Sequence, residues 1–516
     1  MQTNPDGQTL DRHLTFQEIV LPLRQRLRTS LLPLAALCVL IMIPLWYDNN
    51  PGLLGYILIA LGAWLSLAVW SAHGMGLPML PMLVLQTLFT FALPIITRNE
   101  TLDHYPAELL LPAGLDVLLF CLTMTGTWAL LIRQLQPGAP YCYALQGFQK
   151  DGVKKLRGIG LTLISVFTVY RVAQMMHLTD PLFAALPSGS QAIVSALTSA
   201  ISVCGFFLVA MLIGGNSMGS GQRVAFWLMF ALNFLMLSAG FVLSAGMLLM
   251  GAVFIGLLWG SGRVPWRYFA FLAIILSFLN FGKFVMREKY WDPQTGSGMQ
   301  EVGFADMPAV YSEWAEASYL LLTGSSDSPA SQTGFGPKEE KEGQSLLSRV
   351  NNMQNLLFVM ETIKYDNAPL LYGETYTLIP PLLIPRFFWP DKPRAHEGQI
   401  LLNVHFGRQD LQATFGTYIA WGLLPEACGN FGPIYGAILL GICLGALAAW
   451  IEVQTSNKLL FSLEGLLGLV IFMGVLNSYE MVASVLVTSV FQSLFPVILG
   501  CSPFVERQST VRPDAY

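Results

Sequence analysis

The sequence predicts an all-α polytopic membrane protein with about twelve transmembrane helices and one large periplasmic loop. Three observations predict this fold class. Hydrophobic residues make up 54% of the 516 residues and charged residues only 12%, whereas a soluble domain carries about 25% charged residues. Apolar runs long enough to cross about 30 Å of hydrocarbon recur along the chain. Lys and Arg are concentrated in alternate connections between those runs.

The apolar runs follow one another closely, apart from one long polar interruption. The first 30 residues are polar and basic and have no small-residue cleavage site, so we predict no removable signal peptide. Residues 224–260 are too long for one helix, and we divide them at 238–240. The spans are predicted at 31–47, 52–71, 77–96, 109–132, 158–176, 191–213, 224–239, 241–260, 267–285, 430–451, 459–478 and 481–500.

Lys and Arg remain mostly on the cytoplasmic side of a membrane, and this rule orients the chain. With both termini in the cytoplasm, the inner segments carry fifteen Lys and Arg residues and the short outer loops carry one, Arg98. We therefore expect a multi-pass protein of the bacterial inner membrane. The predicted regions are an N-terminal bundle of about nine spans at 1–285, a periplasmic loop at 286–412, C-terminal helices at 413–500 and a cytoplasmic tail at 501–516.

Two parts of the large loop differ in character. Residues 324–344 are rich in Ser, Gly, Pro and charge, which predicts a flexible excursion. Residues 345–366 place apolar side chains at spacings of 3 and 4, which predicts an amphipathic helix. We expect this helix to lie on the membrane surface or on top of the bundle.

The segment 371–408 combines cations, aromatic side chains and five prolines. The prolines disfavour a long regular helix and predict a shaped, extended path. We predict that this path holds its charges at the membrane edge, facing an anionic lipid-linked substrate. The ionisable side chains concerned are Arg386, Lys392, Arg394, His396, His405 and Arg408.

These side chains are suited to a reaction in which a diphosphate is the leaving group. Arginine offers a planar, always charged set of donors for phosphate oxygens, and a histidine can deprotonate an attacking hydroxyl. The simpler interpretation is that the cations bind anionic lipid headgroups. Arg171 is either a further cation of the outer cavity or a residue that reaches the headgroups. Glu480 lies on the outer side and could act as a base, whereas Glu464 fits a structural role.

Signals for other chemistries are absent from the sequence. It contains no GxxxxGK[ST], HExxH or dinucleotide motif, which argues against the use of ATP or a nicotinamide. The seven cysteines show no CxxC or Cys/His ligand spacing, so we expect no metal site. We also expect no cofactor and no nucleic-acid partner.

Four stretches resemble one family. They are SRVNNMQNLLFVMETI, LLYGETY, IPRFFWPDKP and TFGTYIAWGLLPEACGNFGPIYGAILLG, within about 345–450. This part resembles the oligosaccharide repeat-unit polymerases, also called O-antigen or Wzy-type polymerases. The N-terminal two thirds of the chain share only hydrophobicity with that family.

The resemblance implies the fold of the metal-independent, polyprenyl-linked (GT-C-like) glycosyltransferases, acting on the periplasmic face. Family members transfer a growing glycan from an undecaprenyl-diphosphate carrier onto a lipid-linked repeat unit. The resemblance also implies membrane lipid, a chain-length regulator and a repeat-unit flippase as partners. Functional arginines in periplasmic loops are a family feature; Arg386 and Arg394 match best, and Arg349 is a third.

The chemistry and the resemblance together assign roles. Attack of the acceptor hydroxyl opposite the leaving group would invert the anomeric centre. The expected catalytic residues are Arg386, His396, His405, Glu374 and Glu397; the diphosphate ligands are Arg386, Lys392, Arg394, Arg408, Arg171 and Arg349; and Tyr372, Trp389 and Tyr418 are expected to stack on sugar rings.

Three alternatives stay open at this stage. A polysaccharide ligase of the same superfamily would transfer the finished polymer to another acceptor. A flippase or transporter for lipid-linked oligosaccharide would bury charge along a path through several spans, whereas ionisable residues here are scarce within the spans. A membrane scaffold of an assembly complex would use 324–344 as an interaction arm.

Overall fold

The chain is an all-α membrane protein in its computed structural model. The structure describes residues 15–137, 141–145, 152–185, 190–241, 243–261, 265–290, 302–323, 351–384, 389, 392–416, 419–459, 462–501 and 505–509. The predicted flexible segment 324–344 and the first residues of the predicted helix 345–366 lie outside these ranges.

The described residues up to 323 form long helices joined by short turns. A π-helical turn at Leu88–Ala92 makes Met79–Ile96 one continuous helical run. These helices are α1 (Phe16–Tyr47), α2 (Leu53–His73), α3 (Met79–Thr87), α4 (Leu93–Ile96), α5 (Leu110–Gln134), α6 (Gly152–Met175), α7 (Asp180–Ala185), α8 (Ser190–Gly214), α9 (Ser220–Ser238), α10 (Leu243–Ser261), α11 (Trp266–Tyr290) and α12 (Met307–Thr323).

The described residues from 351 onwards begin with short helices and end with long ones. We call the short helices α13 to α18 the cap. They are α13 (Asn352–Tyr365), α14 (Glu374–Thr377), α15 (Ile379–Leu383), α16 (Glu397–His405), α17 (Ala413–Gly416) and α18 (Leu423–Phe431), followed by α19 (Tyr435–Ser456), α20 (Leu463–Ser478) and α21 (Ala483–Cys501).

Every predicted span overlaps a helix of the structure. The division of 224–260 coincides with the turn between α9 and α10. Within the described residues, seven helices are long and apolar enough to cross a membrane, and 201–214, 249–258 and 463–478 are shorter apolar helices. The seven are Phe16–Tyr47, Leu53–His73, Met79–Ile96, Ala107–Gln134, Leu156–Met175, Ser220–Ser238 and Tyr435–Ser456.

The long helices pack closely at glycine positions, where no side chain separates the two backbones. A Cβ at Gly445 of α19 would lie 2.2 Å from the carbonyl oxygen of Met124 in α5, and a Cβ at Gly260 of α10 would lie 2.0 Å from that of Met211 in α8. Helices in a membrane associate through such close backbone contact, because lipid offers no hydrophobic driving force between them. These glycines therefore permit the α5–α19 and α8–α10 pairs.

The buried side chains form two large apolar cores. The first joins α1 to α5 with α13, α18 and α19, and the second joins α6 and α8 to α12. Helix α20 contributes to both, with Leu469 and Met473 in the second core and Val475 in the first.

Segments near the N-terminus and the C-terminus of the described chain meet at one end of the bundle. Strand β1 (Tyr141–Leu145) pairs antiparallel with β2 (Val505–Ser509). The N–H of Phe16 donates to the carbonyl of Lys458 at 3.1 Å, and Lys458 Nζ donates to the carbonyl of Tyr141 at 2.7 Å. The charge pattern predicts all these segments to be cytoplasmic, and they are indeed neighbours.

A buried carboxylate ties three helices together near that end. Glu452 of α19 accepts hydrogen bonds from the indole nitrogens of Trp70 and Trp128, each at 2.8 Å, and from the N–H of Met75 at 3.0 Å. These donors compensate for the loss of water around a buried charge. Glu452 is therefore a structural link between α2, α5 and α19.

The cap covers the opposite end, which the charge pattern predicts to be periplasmic. The side chain of Asn351 caps the N-terminus of α13 and donates to Thr101 Oγ1 at 2.8 Å. Lys364 forms an ion pair with Glu108 at 2.6 Å. Most of the apolar face of α13 is buried against α5 and α18, so this helix lies on the bundle.

Candidate functional site

The segment that carries Arg394 and His396 is bonded to the start of α21 and to the turn that precedes it. Ser484 Oγ donates to the carbonyl of Ala395 at 3.0 Å. His396 Nδ1 is 2.9 Å from Gln399 Oε1, and Gln399 Nε2 donates to the sulfur of Met481 at 3.4 Å. This end of the cationic segment is therefore held against the membrane helices.

Local sequence explains why the segment turns into a helix here. Pro393 lies before the helix, where its missing N–H is tolerated, and α16 begins at Glu397, directly after His396. A Cβ at Gly398 would lie 3.1 Å from Ser484 Oγ, so glycine allows the first turn of α16 to approach α21 closely. Gln399 is 1% exposed and connects the two elements.

Arg394 lies at the surface of this segment. Its side chain is 48% exposed, and its Nε is 3.5 Å from Glu397 Oε2. An exposed ion pair of this kind contributes at most about 1 kcal/mol, so it is readily exchanged for another anion. Arg394 is thus placed where a negatively charged group can reach it.

Lys392, another predicted diphosphate ligand, occupies a different environment. It is 8% exposed, and its Nζ donates to the carbonyls of Leu382 at 2.8 Å and Ile384 at 2.6 Å. The last carbonyls of a helix lack partners within that helix, and a nearby lysine can supply them. In this structure the ammonium closes the end of α15.

Arg408 is held between aromatic rings. Its Nη1 donates to Asn355 Oδ1 at 2.7 Å, and its guanidinium carbon lies 5.4 Å from the ring centre of Phe358 and 5.6 Å from that of Trp421. These contacts are typical cation–π distances. They connect the end of α16 to α13 and to the segment before α18.

His405 and Glu374, both predicted to act in catalysis, lie on helices of the cap, at the end of α16 and the start of α14. His405 Nε2 is 2.7 Å from the carbonyl of Pro369, so this nitrogen carries the proton as a donor. Glu374 is exposed and begins α14. Neither residue contributes to the contacts that join the segment at His396 to the turn before α21.

Two of the predicted sugar-stacking residues expose their rings. Tyr372 is 80% exposed and Trp389 is 41% exposed. Tyr372 and Gly373 both have left-handed backbones, with φ of 48° and 94°. Their N–H groups donate to the carbonyl of Asn430 at 2.8 Å and to Asn430 Oδ1 at 3.1 Å. Asn430 of α18 thereby fixes the turn that presents the Tyr372 ring.

Arg171 of α6 is half-buried beside the second core, to which its bonding partner Met236 belongs. Its Nη1 donates to Gln174 Oε1 at 2.6 Å and its Nη2 to the carbonyl of Met236 at 3.4 Å, linking α6 to α9. Three other predicted residues, Arg349, Arg386 and Tyr418, lie outside the described residues.

Glu426 of α18 is a functional candidate that the sequence interpretation missed. It is completely buried, and its Oε2 accepts the N–H of Ala483 at 2.6 Å. Oε1 receives no hydrogen bond of acceptable geometry from the described residues. Burial raises the pKa of Glu426 to about 7, opposed by the Ala483 amide and the nearby Thr375 hydroxyl. The sequence did contain a signal for this residue: Glu426 is an acid within the otherwise uncharged stretch LLPEACGNFG.

Two further acids lie at the same end. Burial raises the pKa of Glu480, directly before Met481, to about 7. Asp116 of α5 is 1% exposed, and its Oδ1 accepts the N–H of Ile434 at 2.6 Å, whereas its Oδ2 has no hydrogen-bond partner among the described residues. Glu426 and Glu480, with pKa values near neutrality, are suited to accepting and returning protons.

The arrangement can bind an anion at Arg394 and accept a proton nearby. Across the ranges that the structure covers, no group of three or more His, Cys, Asp or Glu side chains is placed to hold a metal ion. Together, fold and site define a helical membrane protein with a polar, cation-bearing cap. Comparisons with protein-family models, curated proteins and solved structures give no match.

Proposed function

We propose that the chain is a glycosyltransferase that transfers a growing glycan from an undecaprenyl-diphosphate carrier onto a lipid-linked repeat unit. We further propose that the reaction takes place at the periplasmic face of the bacterial inner membrane. One observation carries the proposal: the exposed cation Arg394 and the imidazole of His396 lie on the segment bonded to the turn after Glu480. An anion-binding group and a group that can take up a proton therefore share one surface.

The leaving group requires positive charge. As the bond from the anomeric carbon to the diphosphate breaks, negative charge grows on the departing oxygen. Arg394 presents a planar set of donors that matches phosphate oxygens, and the partly exposed Glu397 is one of its partners in the resting protein. No metal is needed in this scheme.

The acceptor hydroxyl must lose a proton as its oxygen bonds to the anomeric carbon. If Nδ1 of His396 donates to Gln399 Oε1, neutral His396 carries its basic lone pair on Nε2. Glu480, with a pKa of about 7, is a second candidate acceptor for the proton. Attack from the face opposite the diphosphate inverts the anomeric centre, and undecaprenyl diphosphate leaves.

Buried charge within the spans would favour the alternative function, that of a transporter. Asp116 and Glu452 are such buried acids. However, Glu452 is bonded to two indoles and one backbone amide, which identifies it as a packing element. Glu480 directly precedes Met481, which accepts a hydrogen bond from Gln399 of the cationic segment, and this contact supports the glycosyltransferase proposal.

The proposal is tested with purified protein and the organism's undecaprenyl-diphosphate repeat unit, without metal or nucleotide, followed by gel analysis of glycan length. We expect a ladder of products from the wild-type protein and at least about 100-fold slower extension by Arg394→Ala, because an oriented charge on the leaving group is lost. Lys364→Ala is the matched control, since Lys364 is equally exposed and also paired with a glutamate.

Two outcomes would contradict the proposal. Equal ladders from Arg394→Ala and Lys364→Ala would remove Arg394 from the site. Absence of any ladder from well-folded protein that moves the same lipid across vesicle membranes would establish a flippase instead.

A further inference from the structure

A buried hydroxyl of α21 holds the backbone between Arg394 and His396. Ser484 is completely buried, and its Oγ donates to the carbonyl of Ala395 at 3.0 Å. Ala395 is the residue between the proposed diphosphate ligand and the histidine. Displacement of this carbonyl therefore moves both functional side chains together.

The helix that carries Ser484 is itself fixed from the cap. Ala483 is the first residue of α21, and an N–H at this position has no partner within its helix. Glu426 of α18 accepts this N–H at 2.6 Å. A continuous path thus runs from Glu426 through the start of α21 to Ala395.

The fold alone does not explain why an acid occupies position 426. Burying a carboxylate is costly, and one oxygen of Glu426 receives no hydrogen bond from the described residues. A neutral side chain of similar size would fill the same space at lower cost. Costly polar groups of this kind occur where a particular arrangement is required for function.

We propose that Glu426 and Ser484 are positioning residues that hold the segment bearing Arg394 and His396 in the geometry needed to bind the donor diphosphate. This inference rests on the proposed function for its substrate. The anchoring itself is a property of the fold and can be measured without any substrate.

The first test replaces the hydroxyl. Ser484→Ala removes the donor to Ala395 with little change in volume. Thr488→Val is the matched control, because Thr488 is also buried on α21 and its hydroxyl donates to the carbonyl of Ser484 within the same helix. We expect hydrogen exchange of the 392–400 amides to be at least about tenfold faster in Ser484→Ala and unchanged in Thr488→Val.

The second test removes the hydrogen bond between the Ala483 N–H and Glu426. Ala483→Pro eliminates the N–H that Glu426 accepts, and proline is tolerated at the first position of a helix. The same acceleration of exchange in 392–400 is expected. Exchange in α13, which lies elsewhere in the cap, should stay unchanged and reports that the protein is folded.

Kinetics then distinguish positioning from loss of folded protein. A displaced Arg394 binds the diphosphate less well, so the KM for the lipid-linked donor should rise about tenfold in Ser484→Ala. A smaller folded fraction would lower kcat and leave KM unchanged. Wild-type KM together with wild-type exchange in both variants would overturn the inference. Faster exchange in a chain that makes no polymer would refute the proposed function and leave the anchoring intact.

Discussion

At the scale of single residues, the cap contains acids whose surroundings favour the neutral form. Glu426 is the clearest case, because it is completely buried and bonded through only one oxygen among the described residues. Its pKa of about 7 lies above the ordinary value of 4.5. Between these two values the folded protein holds a proton that the unfolded chain releases.

This difference predicts how stability changes with pH. The contribution of Glu426 to stability falls as pH rises from about 4.5 to 7, and above pH 7 the carboxylate costs the fold roughly 3 kcal/mol. Glu426→Gln retains an acceptor for Ala483 and removes the charge. We therefore expect Glu426→Gln to raise the melting temperature in detergent at pH 8.5 much more than at pH 4.5.

The control for this measurement is Glu100→Gln, a change at an exposed glutamate. An equal shift of the melting temperature by Glu426→Gln at both pH values would contradict the assignment of the raised pKa.

At the scale of elements, local patterns predicted the helices, and contacts between distant segments determined the site. The 3-and-4 spacing predicted a helix at 345–366, and α13 occupies Asn352–Tyr365. Nothing local predicts that Glu426 meets Ala483 or that β1 meets β2, because these partners are far apart in sequence and show no shared periodicity. The bonds of Lys392 to helix-end carbonyls also have no local signal, because they depend on the path of the chain.

The turn before α14 gives a prediction at this scale. Gly373 has φ of 94°, and a Cβ there would meet only the ring of Phe431 at 3.4 Å or more. Gly373→Ala is therefore unfavourable through backbone strain, by about 1–2 kcal/mol. We expect a lower melting temperature and a shorter glycan ladder, because the Tyr372 ring loses its fixed position.

The matched substitution is Gly126→Ala, on a helical surface where an added Cβ meets nothing within 4 Å. It should be neutral or slightly stabilising, since alanine favours helix. Equal melting temperatures for the two variants would show that the turn at Gly373 tolerates a side chain.

At the scale of the whole molecule, the segments that connect the helices form two groups, one at each end of the bundle. One end contains β1, β2 and the residues around Lys458, and the other contains the cap and Thr101. Apolar side chains such as Leu32 at 80% exposure and Leu130 at 64% lie between the ends, as expected of surfaces in contact with lipid. The hydrophobic pattern predicted these spans, because the bilayer requires them to be long and apolar.

The predicted orientation is tested by labelling single cysteines in a cysteine-free background. His104→Cys lies at the cap end and Ser220→Cys at the other, and both positions are exposed. Under the positive-inside rule, a membrane-impermeant maleimide should label His104→Cys in cells with a permeable outer membrane. It should label Ser220→Cys only after the inner membrane is opened, and the reverse pattern would invert the topology.

Helix α20 has a mechanical consequence. It contributes side chains to both apolar cores and leads directly into the turn against which Gln399 packs. Because α20 is one helix of 16 residues, about 24 Å long at about 1.5 Å per residue, we expect a displacement of either core to move the turn that contacts Gln399.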